Sequence, residues 1–162
     1  MRPSKEVEES IMDNIVVVVH IIAGAVLAVV AMVMQLGVGP TLQRIPQSAE
    51  KETAVTFMKG RIQKAQDVAI ILVWVTVGHL AHSRWEMIVD SPLLMTKIAF
   101  GSAALITATI MHFVVRGTKE RLKRDGKMDA FRSLTRRAAP FEKIVLIGAP
   151  TAFVLGVYLG HG

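Results

Sequence analysis

The sequence predicts an all-α fold: an integral membrane bundle of four transmembrane helices forming a single domain over residues 1–162, with both termini extracytoplasmic. Three observations carry this. The apolar residues, 52% of the chain, come in long blocks with the charges between them. The first block, IVVVVHIIAGAVLAVVAMVM over residues 15–34, matches the ~30 Å hydrocarbon core of a bilayer at ~1.5 Å per residue. The cations are distributed asymmetrically between alternate connecting segments.

Span 1 covers about residues 11–37 and stops at Gly37-Val38-Gly39-Pro40, a helix-ending sequence. Its acidic N-terminus, MRPSKEVEES, is unlike a signal peptide, so the span is expected to be retained. Residues 41–64 are polar and mixed in charge, and part of them extends the second helix into water. Span 2 covers about 65–85 and ends in GHLAHSRW. It has the shortest apolar core of the four. Span 3 covers about 92–116, with Pro92 suited to a first helical turn. A basic cytoplasmic loop, 116–140, leads to span 4 at about 141–160.

Topology follows from the cations. The segment between spans 1 and 2 holds Arg44, Lys51, Lys59, Arg61 and Lys64, and ten more lie between Arg116 and Lys143. The other side has Arg2, Lys5 and Arg84, and Lys97 lies within span 3. The positive-inside rule therefore places both long loops in the cytoplasm of a cell (plasma or inner) membrane. The net charge of +6 is thus explained by a lipid bilayer, and nucleic acid is not expected as a partner. Small residues recur at helical spacing beside His20 (Gly24, Ala28, Ala31), beside Lys97 (Gly101, Ala104, Ala108) and on span 4 (Gly148, Ala152, Gly156). Such stripes let helices approach closely in lipid.

An ionisable group inside a span is costly and marks a site. Counted from the outer face, His20 lies ~9 Å deep, and His79 and Lys97 ~7 Å deep, with His82 near the interface. Two imidazoles at one level across a bundle can form the axial pair of haem b, and the absent CxxCH excludes the usual covalent attachment. His20 and His79 are the candidate iron ligands, with Lys97 as the alternative axial ligand or a propionate partner and His82 as an accessory cofactor-binding residue. Copper is the alternative cofactor, on histidines and scattered methionines. His112, His161, Asp67 and Glu142 are read as helix-end residues. The chain has no cysteine, and no nucleophile–base pair, paired carboxylates or phosphate loop is visible, so enzymatic activity is left open.

VHIIAGAVLAVVAM followed by GVGPTL resembles the first helix of CopD-type copper-resistance membrane proteins and of HemJ-type protoporphyrinogen oxidases. SPLLMTKIAFGSAALITATIMHFVVR resembles the third helix of these proteins, and FRSLTRRAAPFEKIVLIGAPTAFVLGVYLG their basic loop and last helix. The likeness spans nearly the whole chain and implies haem b at His20 and Lys97. After its first helix the chain has QLGVGPTLQR where HemJ-type enzymes are rich in arginine and aromatics, and His79 and His82 are additional. The reading is therefore the broader superfamily: a haem-binding redox or electron-transfer protein acting with a membrane partner or quinone. The alternatives are copper handling, protoporphyrinogen oxidation, or an accessory subunit in a homo-oligomer or larger membrane complex.

Overall fold

The computed structural model describes residues 5–38, 41, 44–46 and 48–160. Arg2, His161 and the Gly39-Pro40 stop lie outside the described residues. These are helical almost throughout, with no strand among them. The order is α1 (Lys5–Met32), a π-helical segment π1 (Val33–Val38), α2 (Ala49–Ser83), α3 (Trp85–Asp90), α4 (Pro92–Thr109), π2 (Ile110–Val115), α5 (Arg116–Arg124) and α6 (Met128–Gly160). α4, π2 and α5 run on without a break, so four helices are long and apolar enough to cross a membrane.

Local chemistry sets the boundaries. Ser48 caps α2, its Oγ accepting from Lys51 N at 3.1 Å, and Glu50 and Glu52 complement the positive helix start. α2 has 35 residues, ~52 Å of helix against a ~30 Å core, so its polar first turns project beyond the apolar stretch. Ser91 caps α4 by accepting from Leu94 N, and Pro92 takes the first turn as expected. The connection between spans 2 and 3 is mostly the short helix α3, which buries Ile88.

The basic connection between spans 3 and 4 is also helical rather than a loop. α5 carries the third span onward and α6 begins three turns before Pro140. They are joined at Gly126, whose φ of +71° is readily adopted only without a Cβ. Lys127 N returns to Leu122 O at 3.0 Å, closing the end of α5. Strong helix formers such as Lys, Arg and Leu favour this outcome once the two long helices that they extend are nucleated. Pro140 and Pro150 both lie inside α6.

Around the bundle, α2 packs on α1, α1 on α6, and α6 on α4, while α2 meets α4 least. The core is small: Ala23 and Leu27 of α1, Ala69, Ile70 and Val73 of α2, and Leu105 and Ala108 of α4. Between 6% and 22% of each apolar span is buried within the chain, and Ile22, Val29, Val75, Ile147 and Val154 are all exposed. In water such a surface would drive association; in lipid it is solvated.

The small-residue stripes interlock on α4 and α6. A Cβ added at Gly148 would lie 3.0 Å from Ala104 Cβ and 3.2 Å from the Phe100 carbonyl oxygen. One at Gly101 would lie 3.5 Å from Ala152 Cβ. Ala28 and Ala31 of α1 are buried as their stripe implied. Close backbone approach thus fixes the α4–α6 pair, which carries Lys97.

Candidate functional site

His20 sits in the middle of an apolar stretch of α1, where only another helix can satisfy a polar atom. The partner is Thr76 of α2, with His20 Nδ1 2.9 Å from its Oγ1. Thr76 is buried, and its hydroxyl has a single proton. That proton goes to its own helix, to Leu72 O at 2.8 Å and Val73 O at 3.1 Å. Thr76 Oγ1 is therefore the acceptor and His20 Nδ1–H the donor. Nε2 is left with the lone pair, the arrangement an imidazole adopts when its far nitrogen serves as a ligand or a base.

Lys97 lies on α4 with its alkyl chain over Gly156 of α6. A Cβ at Gly156 would come within 3.1 Å of both Cε and Nζ, so the bare backbone there makes the room that the amine occupies. The ion pairs among the described residues do not include Lys97. Helices α1, α2, α4 and α6 thus contribute His20, Thr76, Lys97 and Gly156 respectively.

His79 turns elsewhere. Its Nε2 donates to Asp13 Oδ1 of α1 at 2.8 Å, and Arg84 lies 4.0 Å from the other oxygen. It sits three residues beyond Thr76, ~4.5 Å further along α2, so the level of His20 is that of Thr76 and not that of His79. His82 is exposed at the end of α2, and no described contact joins it to His20 or Lys97. Of the residues that depth alone grouped, His20 is tied to Thr76, Lys97 lies over Gly156, and His79 is aimed at a carboxylate.

Sequence reasoning passed over two partners. Thr76 is three residues before His79, and Asp13 is seven before His20, two turns along the same face of α1. Both spacings were visible, but a threonine and a carboxylate near a helix end carry no signal until their partners are known. The opposite end of the bundle holds a further cluster. His112 Nδ1 lies 3.1 Å from Asp67 Oδ1, and Arg116 lies 3.2 Å from Oδ2. Between the two ends, Trp74 Nε1 donates to Thr109 Oγ1 at 3.0 Å.

No group of three or more His, Cys, Asp or Glu among the described residues is arranged to hold a metal ion. A haem asks less of a protein, since its porphyrin supplies four nitrogens and the chain one or two axial donors. The His20 Nε2 lone pair and the Lys97 amine, which is in no ion pair among the described residues, suit that demand. Comparison with protein-family models, curated proteins and solved structures finds no significant match. The class is therefore defined by the fold and the polar residues alone: an all-helical chain with four helices able to cross a membrane, carrying His20 and Lys97 within them.

Proposed function

We propose that the chain is a multi-pass membrane protein of the CopD-like and HemJ-like kind, with its basic hairpin in the cytoplasm, that binds haem b near the outer face and carries electrons to or from a membrane partner or quinone. The observation that carries the reading is the orientation of His20: Nδ1–H is held by Thr76, and Nε2 remains as a donor within a helix that offers no other use for it. Lys97 is favoured over His79 as the second residue that would hold the haem, because His79 Nε2 is engaged by Asp13 whereas no ion pair among the described residues includes Lys97. Lys97 alternatively meets a propionate. When bound, the haem supplies a one-electron couple. The chain holds the imidazole in one tautomer, and its apolar helices keep water from the group.

A second reading has an observation of its own. His20, His79 and His112 each already have an interhelical partner, which is all that a structural role in an accessory subunit requires. One experiment separates the two. The chain is purified in detergent from cells supplied with excess haem, and its absorption spectrum is recorded. A Soret band that is lost in His20→Ala and kept in His82→Ala supports haem binding at His20. A colourless wild-type chain that remains helical supports the structural reading.

A further inference from the structure

The basic end of the bundle holds three groups that the haem reading does not use. Asp67 of α2 accepts from His112 Nδ1 at 3.1 Å through one oxygen, and from Arg116 at 3.2 Å through the other. Arg116 Nε also reaches Glu120 at 3.4 Å. All three side chains are partly buried, at 26% exposed for Asp67, 17% for His112 and 34% for Arg116. His112 sits on π2, a wider turn that sets it off the register of the α-helices on either side; such turns are common at functional sites. The cluster also lies where the ring of helices is weakest. α2 packs extensively on α1 but least on the third span, and Trp74–Thr109 is the other described side-chain tie between α2 and that span.

We propose that Asp67, His112 and Arg116 form a proton-binding latch across this seam, in which a proton taken up at His112 Nε2 tightens α2 against the third span and its release loosens it. The Asp67 carboxylate accepts from both partners, so His112 Nδ1 carries its hydrogen in both states and Nε2 is the atom that takes up the proton. With Nε2 bare, the contact is a hydrogen bond from a neutral ring. With Nε2 protonated, an imidazolium faces a carboxylate, and a charge-assisted bond of roughly twice the strength holds the two helices. The imidazole is the side chain whose charge changes near neutral pH. The charged groups beside it are Asp67 from α2 and, across that carboxylate, Arg116 from α5. Glu120 holds Arg116 one turn on, and α6, which packs on π2, carries Glu142 and Lys143 between its two prolines. Acidification therefore closes the latch. The latch uses neither His20 nor Lys97, so it stands or falls independently of haem.

The chain has no cysteine, so spin labels can be placed without a background. Ala65 on α2 and Gly117 on α5 are exposed, and a side chain at Gly117 meets nothing within 4 Å. With both changed to cysteine and labelled, in lipid nanodiscs, the pulsed-EPR distance distribution is measured at about pH 4.5 and about pH 8.5, about two units either side of the unperturbed imidazole value. The latch predicts a narrow distribution in acid and one broadened or lengthened by roughly 2 Å in base, the scale of helix shifts in switching proteins. His112→Gln keeps a donor without the charge and abolishes the response. Asp67→Asn is broad at both pH values. Identical distributions at both pH values in the parent chain, or an unchanged response in His112→Gln, would overturn the proposal.

Discussion

Gly148→Ala tests whether backbone approach between α4 and α6 holds the bundle together. The added Cβ would sit 3.0 Å from Ala104 Cβ and 3.2 Å from the Phe100 carbonyl oxygen. Carbon atoms pack best at about 3.5–4.0 Å, so the helices must part by ~0.5–1 Å. Neither neighbour can swing aside, because one is a methyl group fixed to a helix and the other is backbone. Overpacking of this kind costs about 1–3 kcal/mol. Replacing glycine by alanine in a helix returns about 0.5–1 kcal/mol. The net expectation is a loss of about 0–2.5 kcal/mol. Gly24→Ala is the matched control: its Cβ meets nothing within 4 Å, so only the helical gain of about 0.5–1 kcal/mol remains. Reversible unfolding in mixed micelles, followed by far-UV circular dichroism against SDS fraction, ranks the variants Gly24→Ala, parent, Gly148→Ala. Equal midpoints for the two variants, or the reverse order, would refute the close-packed α4–α6 interface.

Other expectations concern the site. Gly156→Ala crowds only the end of Lys97, a flexible group that can move, so the unfolding midpoint stays within about 0.5 kcal/mol of the parent while the haem spectrum shifts. Thr76→Val keeps the shape but removes the acceptor for His20 Nδ1, and haem loss to an apoprotein acceptor is expected to quicken by about tenfold, the lower range for loss of a ligand-orienting partner. Lys97→Ala alters the low-temperature EPR signal of the oxidised protein and His79→Ala leaves it unchanged; the opposite pattern would assign the second axial position to His79.

The helices, their approximate bounds and the small-residue interfaces were legible because each rests on a local pattern. A run of twenty apolar or small residues around His20 has few alternatives, and glycines and alanines spaced four apart on two helices have an obvious use. The helical hairpin at residues 116–140 was not legible, since its charges mask the continuity of α5 and α6 with the spans they extend. At the site, the sequence pointed to His20 and Lys97 because an ionisable group in an apolar run stands out. It grouped His79 with them on depth, a coordinate that says nothing about which way a side chain faces around its helix. Thr76 and Asp13 decide those directions. The Asp67–His112–Arg116 cluster was hidden for the same reason: each residue is ordinary at a helix end, and only the placement of α2 against π2 joins them.

The central claim, that His20 is presented to a haem iron, is met most directly by a pyridine haemochrome assay on the purified chain after expression with excess haem. The account predicts close to one haem b per chain in the parent and close to none in His20→Ala at equal helical content. A parent chain that is folded and carries no haem, or a His20→Ala variant that retains the full amount, would contradict it.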